Sequence, residues 1–471
     1  MKILGFTCSH RAAFDDCRLA AIIKGLEGCE TDAALRAHLE ALVLEQAVGK
    51  PTKDGKRPSN SELGLLAAAW SARRKGVDFE AVSLKHLFAC PGDPVPVLKE
   101  KMAGADAVIV STPVYFGDRS SLAQRLVDLI STHEALATSA RGKIFGGIAA
   151  GAKRNGGQET TLIYLILDML GLGLLAVGND SSTTSQYGGT LHAGDSGSAA
   201  SDAYGLNTAI GVGARVGALV KVLDAGLRVA DAPRALFLIL QDSGSVAENH
   251  VRALLQRTSL NATVVNCTGE TIRNCQACSF CPSAYSPDEE YACVINGNDG
   301  MKGLHGKLLD NDVIVPVVYC PRDKSGIKTV YQSFMERTRY LRRSDYSLSN
   351  TLIAPLVLME LGVLESYHMR MITSLIRHHT VLRNPIVGYY QQGASLNAEQ
   401  ISREFEILAV QAGQIGAGRL LAGSRENPEI MYNPVGYVLK NPDGNRIDQR
   451  REVIRLRRER MKQAVNTRLR G

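Results

Sequence analysis

Residues Ala105 to Asp128 read ADAVIVSTPVYFGDRSSLAQRLVD. The run from Ala107 to Val110 is apolar and rich in β-branched side chains, which is typical of a parallel strand buried on both faces. A proline turn with two aromatic residues follows, and a helical pattern begins after it. Open α/β sheets bind ligands at the carboxyl ends of their strands, so this turn is a candidate binding loop. Its residues are Pro113, Val114, Tyr115, Phe116 and Gly117.

A fainter copy of this stretch recurs about 205 residues later. Asn311 to Tyr319 again form a buried-strand run, and a helical pattern follows that ends near Arg337. Repeats of this length indicate tandem domains, and 471 residues exceed the size at which one core keeps growing. We therefore expect an α/β protein with two tandem doubly wound parallel-sheet domains and a basic C-terminal extension. The expected ranges are 1–224, 234–425 and 426–471.

The apolar pattern predicts the remaining elements of each domain. Further strands of the first domain are expected at 2–6, 78–83, 143–149 and 174–177. A loop rich in glycine and serine to residue 200 and a helix at 202–223 close this domain. The glycines from Gly211 to Gly217 lie inside that predicted helix, so they indicate close helix packing and not a dinucleotide fingerprint. In the second domain, a long helix is expected at 364–381.

Composition places the chain among ordinary globular proteins, with 45% hydrophobic and 21% charged residues. Lys2 to Leu4 enter a strand without the basic and apolar regions of a secretory signal. The longest apolar stretch, 162–177, is interrupted by Asp168 and glycines, so it predicts a helix and a strand and not a membrane span. We expect a cytoplasmic protein with no membrane partner, in which ten cysteines favour metal or redox chemistry over disulfides.

The formal net charge of +7 is concentrated at one end of the chain. Residues 446–471 carry ten Lys or Arg against three acidic residues, which leaves the remainder neutral. A basic tail can bind nucleic acid or an acidic partner. Helical periodicity, with Ile454, Met461 and Val465 on one face, favours a solvated helix docked on its own protein. Nucleic acid is therefore not the expected partner.

The loop after the first strand contains Ser9, His10 and Arg11, and small residues with an arginine suit a phosphate site. A second piece, Ser59, Asn60 and Ser61, opens a later predicted helix. Hydroxyls and backbone N–H groups at a helix N-terminus bind phosphate, while Ser59 or Asn60 is equally a good N-cap. Between the pieces, an insertion at 12–57 contains a predicted helix at 31–48. Long insertions often form lids or dimer contacts, although a plain packing helix is the simplest interpretation.

A third loop of this kind follows the predicted fourth strand. Its paired glycines let a ligand approach the backbone closely, and a helix begins directly after them. A glycine pair is also a common turn. The candidate residues are Gly151, Arg154, Asn155, Gly156, Gly157 and Gln158.

These three segments resemble those of the flavodoxin-like NADPH-dependent FMN reductases and the related iron-sulfur flavoproteins. The resemblance implies that FMN is the cofactor and that the TPVYFG loop cups the flavin ring. It also implies that the S-x-R and SNS pieces face the FMN phosphate, and that the GGQE segment lies close to the flavin. Either Arg11 or Arg154 would then balance the charge of the reduced flavin or of its phosphate.

The second half of the chain carries a compact C-x2-C-x2-C motif and a further cysteine downstream. The candidate metal ligands are Cys275, Cys278, Cys281 and Cys293, with Cys267 and Cys320 as substitutes for the last. Several thiolates from one short segment suit a [4Fe-4S] cluster, whereas structural zinc sites more often use two separated cysteine pairs. An iron-sulfur cluster is therefore favoured, with zinc as the alternative.

The two halves are complementary. The first keeps the flavin loops and has only Cys90, predicted to be a lone thiol, where the family carries its cluster. The second keeps the cysteine motif, but its loop at 241–245 has no Arg, so a second flavin is doubtful. The resemblance implies an oxidoreductase that passes electrons between the cluster and FMN. Its redox partner would be a ferredoxin or NAD(P)H, and the protein would form a homo-oligomer.

Two other functions stay open. One is an NAD(P)H-dependent FMN or quinone reductase in which the metal is only structural. The other is a non-catalytic scaffold that binds an acidic partner or nucleic acid through the basic tail.

Overall fold

A computed structural model describes most of the chain. The described residues are 1–48, 57–180, 185–192, 194–227, 233–241, 245–258, 260–277, 291, 293–295, 297–323, 330–425, 459 and 463, without the side chains of 46–48, 241, 343–345 and 422–425. The chain divides into two compact units, Met1–Lys221 and Val222–Gly471. The predicted basic tail, 426–471, lies outside the described residues except for positions 459 and 463.

The first unit contains a parallel sheet in which the strand order is β2-β1-β3-β4-β5, with β6 also beside β4. The strands are β1 (Lys2–Thr7), β2 (Asp78–Ser83), β3 (Ala107–Pro113), β4 (Ile144–Gly151), β5 (Leu175–Ala176) and β6 (Gly189–His192). This order is the flavodoxin-like form of the doubly wound fold. The order reverses between β1 and β3, so the crevice at their carboxyl ends is the expected ligand site.

Nine described helices begin in the first unit. They are α1 (Asp16–Gly25), α2 (Asp32–Val48), α3 (Asn60–Arg74), α4 (Leu84–Ala89), α5 (Val95–Ala103), α6 (Ser121–Thr132), α7 (Glu134–Ala140), α8 (Gln158–Gly171) and α9 (Ala203–Gly226). Helix α3 is buried continuously from Ser61 to Ala72, and its sequence is apolar on every side, as expected for a helix inside a core.

The glycine-rich part of α9 packs closely in the first unit. A Cβ atom at Gly213 would lie 2.0 Å from the carbonyl oxygen of Ala68 on α3, so only glycine allows this approach. The prediction that these glycines serve helix packing is confirmed. Helix α9 is also long and apolar enough to cross a membrane, but 67% of its apolar window is buried inside the protein.

The insertion contains more structure than the sequence predicted. Helix α2 matches the predicted helix at 31–48, but α1 precedes it and was not expected. The side chain of Asp15 caps α1 by accepting a 2.8 Å hydrogen bond from the Arg18 amide. The expected loop to residue 200 was also wrong in part, because β6 forms within it by pairing with β4.

The second unit repeats the same strand order. Its strands are β7 (Arg234–Gln241), β8 (Asn261–Asn266), β9 (Val313–Cys320), β10 (Leu352–Ile353), β11 (Leu356–Glu360), β12 (Val381–Leu382), β13 (Ile386–Gln391) and β14 (Ala394–Ser395). Strand β7 lies between β8 and β9, and β11 and β13 follow beyond β9. The short strands β10 and β12 pair with each other, and Pro355 and Pro385 separate them from β11 and β13.

The described helices that begin in the second unit show that one predicted helix was too long. They are α10 (Val246–Leu255), α11 (Gly300–Asp310), α12 (Tyr331–Arg337), α13 (Arg339–Asp345), α14 (Tyr367–Leu375) and α15 (Ala398–Arg425). The helix predicted at 364–381 is shorter than expected. A short 3₁₀ turn follows α14, and His379 adopts a left-handed conformation at φ 56°, which ends the helix before β12.

Candidate active site

Three loops leave the carboxyl edge of the sheet in the first unit, after β1, β3 and β4. The parallel register places Thr7 beside Ser111 and Pro113 beside Ala150, so the strands end close together. Backbone hydrogen bonds of 2.9 Å join Cys8 to Ser111 and Val114 to Ala150. The sheet therefore brings the three sequence-predicted loops to one edge, which is the ligand-binding edge of this fold.

The two pieces of the first loop meet at the N-terminus of α3. The Glu62 carboxylate accepts hydrogen bonds from the amides of Ala13 (3.0 Å) and Phe14 (2.8 Å). The same carboxylate accepts from the Ser59 amide at 2.6 Å. Glu62 therefore ties the segment after β1 to the start of α3 despite the insertion. The sequence signal for this contact is the S-x-x-E capping box at Ser59 to Glu62.

Burial raises the pKa of Glu62 above its ordinary value, and the hydrogen bonds that it accepts oppose only part of this shift. The negative charge of a carboxylate at the third helical position also interacts favourably with the positive end of the helix dipole, which stabilises the helix. The residue therefore organises the loop through backbone amides. This role differs from that of a group that contacts a ligand.

The candidate phosphate residues at α3 have distinct structural roles. Ser59 is the N-cap, which confirms the capping interpretation for that residue. The Asn60 side chain donates to the carbonyl of Asp195 and accepts from the Ala199 amide. Ser61 is buried, and its hydroxyl has no hydrogen-bond partner within the described residues. The first-turn amides of Asn60 and Ser61 have no acceptor inside the helix, as at any helix N-terminus.

The candidate residues after β1 lie beside this helix start. Ser9 is buried, and its hydroxyl accepts a 3.1 Å hydrogen bond from the Arg11 amide. His10 and Arg11 are exposed, and His10 Nε2 lies 2.8 Å from the Ser121 hydroxyl on α6. The Thr7 hydroxyl is buried without a partner in the described part of the chain. A buried hydroxyl without a partner costs about 1–3 kcal/mol, so a ligand that supplies acceptors fits this place.

The second loop is held in a strained conformation. Phe116 has φ 53° and is fully exposed, and Gly117 has φ 80°. Tyr115 and Asp118 exchange two backbone hydrogen bonds across the turn, at 2.7 and 3.0 Å. A bulky residue with positive φ is a genuine outlier, and such strain concentrates at ligand sites. An exposed aromatic ring on a constrained backbone turn is also a suitable platform for a flat ligand.

Ser120 fixes the second loop against the first. Its hydroxyl donates a 2.6 Å hydrogen bond to the Cys8 carbonyl and accepts from the Ala123 amide at the start of α6. The Ser120 amide donates to the Thr112 hydroxyl at 3.0 Å. One serine therefore joins the end of β3, the start of α6 and the loop after β1. Sequence reasoning missed this residue.

The third loop touches the second. Asn155 has φ 59° and Gly157 has φ 101°. A Cβ atom at Gly157 would lie 2.9 Å from the Gly117 Cα atom, so glycine is needed where the two loops meet. The Gln158 amide group donates to the carbonyls of Lys153 (2.8 Å) and Leu191 (3.1 Å), while its oxygen has no partner among the described residues.

Arg154 lies on the β6 side of this loop and is already paired. Its guanidinium donates to the Asp202 carboxylate at 2.5 Å and to the Thr190 carbonyl at 3.1 Å. It also lies 4.9 Å from the centre of the Tyr204 ring. Because Asp202 balances its charge, Arg154 offers a ligand less net attraction than the exposed Arg11.

The cysteine segment of the second unit lies partly outside the described residues. Cys275 and Cys293 are half-buried, whereas Cys278 and Cys281 fall among the residues that the structure does not describe. Among the described ranges, no cluster of three or more His, Cys, Asp or Glu could hold a metal. The substitute ligands, Cys267 and Cys320, are fully buried, and burial raises the pKa of Cys267 to about 12.

In the first unit, Cys90 is exposed at the end of α4 and forms no disulfide.

The sequence is similar to one protein family and to several characterised proteins. The family model described as NADPH-dependent FMN reductase matches residues 48–187, which include the second and third loops. An iron-sulfur flavoprotein of Methanocaldococcus jannaschii is 33% identical over 190 residues, which cover 37% of this chain and 95% of the relative. An iron-sulfur flavoprotein of Archaeoglobus fulgidus is 28% identical over 149 residues, covering 30% of this chain and 74% of the relative.

A third relative has a different name. An NAD(P)H dehydrogenase (quinone) of Caulobacter vibrioides is 36% identical over 115 residues, covering 22% of this chain and 57% of the relative. The three loops at the carboxyl edge of the first unit and the match to nearly the whole length of a relative agree. The chain belongs to the family of NADPH-dependent FMN reductases and iron-sulfur flavoproteins, and it is an FMN-dependent oxidoreductase.

Proposed function

We propose that this protein is an iron-sulfur flavoprotein oxidoreductase that exchanges electrons between a [4Fe-4S] cluster in the second unit and FMN in the first. The carrying observation is the complementarity of the two units. The first has three loops that meet at the carboxyl edge of its sheet, and the second has the C-x2-C-x2-C motif. FMN, when bound, supplies hydride and single-electron chemistry, and the protein supplies binding and orientation.

The residues of the first unit suit FMN. The exposed Phe116 ring and the Gly157 to Gly117 contact would accept a flat ring system between the second and third loops. The amides and hydroxyl at the start of α3, together with Thr7 and the exposed Arg11, would hold a phosphate. Ser120 and Glu62 would keep these loops in place without touching the ligand.

The cysteine segment suits a cluster through its donor chemistry. Cys275 and Cys293 are half-buried, which leaves them accessible to a metal, and Cys278 and Cys281 complete the proposed set. Zinc is the alternative metal at the same thiolates.

We also infer that the two units arose by duplication. Both have the strand order 2-1-3-4-5, and both have a buried third strand of seven or eight residues. After duplication, one copy would have kept the flavin loops and the other the cysteine motif. A ferredoxin or NAD(P)H is the proposed redox partner, and a cytoplasmic homo-oligomer is the proposed state.

The second candidate is an NAD(P)H-dependent FMN or quinone reductase with a structural metal. It is favoured by the match of residues 48–187 to the NADPH-dependent FMN reductase model and by the relative named NAD(P)H dehydrogenase (quinone). The candidates differ in whether the metal is redox-active.

Anaerobic purification tests the proposal. We expect about one FMN and about four irons per chain, with a broad visible absorption that dithionite bleaches. Cys278→Ser should remove the iron and its absorption but leave FMN bound, because the flavin loops are in the other unit. Cys90→Ser, at an exposed free thiol, is the matched control and should change neither. Stoichiometric zinc without iron would instead establish the reductase with a structural metal.

A further inference from the structure

The cysteine segment is flanked by a fully buried ion pair. Arg337, the last residue of α12, and Asp299 each have completely buried side chains, and Nη1 of Arg337 lies 2.6 Å from Oδ2 of Asp299. Buried ion pairs are rarely the most stable solution for a core, because desolvation opposes the attraction between the charges. Such a pair therefore calls for a role beyond stability.

The remaining hydrogen bonds of Arg337 indicate that role. Nη1 donates to the Arg273 carbonyl at 2.9 Å, and Nη2 donates to the Ile295 carbonyl at 3.1 Å. Arg273 lies two residues before Cys275, and Ile295 lies two residues after Cys293. One planar guanidinium therefore holds the backbone on both sides of the cysteine segment, which suits its fixed fork of donors.

Asp299 completes the clamp. Its carboxylate accepts hydrogen bonds from the Arg273 amide at 2.9 Å and from the Met301 amide at 3.0 Å, where α11 begins. Burial alone would raise the pKa of Asp299, but the hydrogen bonds from Arg337 and from these amides lower it overall. The carboxylate is thus held in its charged form between the same two stretches of backbone.

Tyr291 links the clamp to a cysteine. Its hydroxyl accepts a 2.5 Å hydrogen bond from Nη2 of Arg337, donates to the Ile295 carbonyl at 2.9 Å, and contacts the Cys293 thiol. Its ring meets that of Tyr340 edge to face, with centres 5.1 Å apart. Packing from one side and hydrogen bonds from the other fix the Tyr291 side chain, two residues from Cys293.

We propose that Arg337 is a positioning residue that holds Cys275 and Cys293 within reach of one metal centre. The proposal rests on the proposed function in that it assigns these two cysteines to a common thiophilic metal. Arg337 touches the backbone flanks and Tyr291 and does not ligate the metal itself.

The test uses three variants of the full chain. Arg337→Met combined with Asp299→Asn removes the clamp without leaving a buried charge unpaired. Arg337→Lys keeps the charge near Asp299 but cannot reach both backbone carbonyls. Arg383→Met is the matched control, because Arg383 is also a buried arginine of the second unit, paired with Glu404 at 2.5 Å. Circular dichroism checks that each variant is folded.

The first readout needs no metal. A short bifunctional thiol reagent is applied to metal-free protein, and peptide mass spectrometry measures the product that joins Cys275 to Cys293. We expect the double variant to give at least five-fold less of this product than the parent, Arg337→Lys to give a clear reduction, and Arg383→Met to match the parent. Equal yields in the parent and the double variant would overturn the proposal.

The second readout uses protein reconstituted anaerobically with iron and sulfide. We expect the double variant to lose iron to a chelator at least ten times faster than the parent, while Arg383→Met keeps the parent rate. If the parent itself takes up neither iron nor zinc, the proposed function fails, and the thiol readout still decides separately whether Arg337 positions the two cysteines.

Discussion

The carboxylate of Glu62 accepts a 2.8 Å hydrogen bond from the backbone amide of Phe14, 48 positions earlier in the chain. This contact closes the long insertion at its base, so that the loop after β1 and the start of α3 act as one unit. The two pieces of the proposed phosphate site, which are separated in the sequence, therefore lie together in the fold.

The first prediction concerns this contact. Glu62→Gln places an amide N–H₂ group among backbone donors, so at least one buried N–H loses its acceptor. We expect a loss of about 1–3 kcal/mol in the free energy of unfolding. FMN affinity should fall about ten-fold, since one factor of ten equals about 1.4 kcal/mol. Urea denaturation and quenching of FMN fluorescence measure the two effects. Glu27→Gln, at a more exposed pair with Arg73, is the control.

If Glu62→Gln lowers stability but leaves FMN affinity unchanged, the contact supports the helix and not the ligand site.

The second prediction concerns Ser120, which links the second loop to the first. Ser120→Ala removes the α6 cap and the hydrogen bond to the Cys8 carbonyl. The cap alone contributes about 0.5–2 kcal/mol to stability. Thr31→Ala removes the corresponding cap of α2, where Thr31 accepts from the Ala34 amide at 3.1 Å. Both variants should lose similar stability, but only Ser120→Ala should weaken FMN binding in a fluorescence titration. Equal FMN affinity in the two variants would argue against a role for Ser120 in holding the loops together.

The third prediction separates backbone strain from steric contact at Gly157. Gly157→Ala introduces a side chain at φ 101° and places Cβ 2.9 Å from the Gly117 Cα atom. Gly142→Ala introduces one at φ 76°, where nothing lies within 4 Å of the new atom. Both should lose about 1 kcal/mol or more from strain. Only Gly157→Ala should push the two loops apart, so only it should lower FMN affinity, by at least ten-fold. Similar FMN affinities in the two variants would show that the close contact between Gly157 and Gly117 is not needed for FMN binding.

The sequence predicted those elements whose hydrophobic pattern directly indicates which residues are buried. Strand β3 begins with the apolar run from Ala107 to Val110, and all but its last residue are buried. Helix α2 matches the helix predicted at 31–48, and the Thr31 side chain caps it by accepting a hydrogen bond from the Ala34 amide. Such elements can be predicted from local sequence, because neighbouring residues determine both which side chains are buried and where the element begins and ends.

Other elements depend on distant partners. Strand β6 contains glycine, threonine and histidine and little apolar surface, and it forms because its backbone pairs with residues 148–151 of β4. The predicted helix at 364–381 ends early because His379 turns the chain and Val381 joins the sheet beside β10. Tertiary pairing overrides local propensity in both cases.

The site shows the same division. Loop positions such as Phe116 and Gly157 were found because turn residues at strand ends form a visible pattern. Glu62 has a local signal in its capping box, but its hydrogen bond to the distant Phe14 amide has none. Ser120 and Asp202 were missed because their hydrogen bonds to the Cys8 carbonyl and to Arg154 also join segments far apart in the sequence.

The fourth prediction ranks the two candidate arginines. Arg11 is exposed, whereas Asp202 already balances the charge of Arg154. We expect Arg11→Ala to weaken FMN binding about ten-fold at low salt, with a smaller effect at high salt, because screening reduces an exposed charge interaction. Arg154→Ala should change FMN affinity less than three-fold but disturb the β6 side of the loop. Arg18→Ala, at an exposed position of α1, is the control for net charge. A larger effect of Arg154→Ala than of Arg11→Ala would reverse this ranking.

The last prediction concerns pH. His378 is buried, and its Nε2 lies 3.0 Å from the Thr338 hydroxyl. Burial, together with the positive charge of Arg342, lowers its pKa from the ordinary value of 6.5 to about 3. The unfolded chain therefore binds a proton at this residue between pH 6.5 and about 3, whereas the folded protein does not. The stability contributed by neutral His378 is present above pH 6.5 and decreases as pH falls through this range, by about 1.4 kcal/mol per pH unit where the linkage is complete.

His378→Gln should remove this component. Gln cannot titrate, so the free energy of unfolding of the variant should fall less steeply than that of the parent as the pH is lowered from 6.5 to 4.5. Urea denaturation at a series of pH values measures both slopes, and His192→Gln, at an exposed histidine of β6, should retain the parent slope. Above pH 7, His378 is neutral in both the folded and the unfolded chain. The difference in the free energy of unfolding between the parent and the variant should therefore be constant there. Parallel curves for the parent and His378→Gln across the whole range would show that His378 takes up its proton without unfolding.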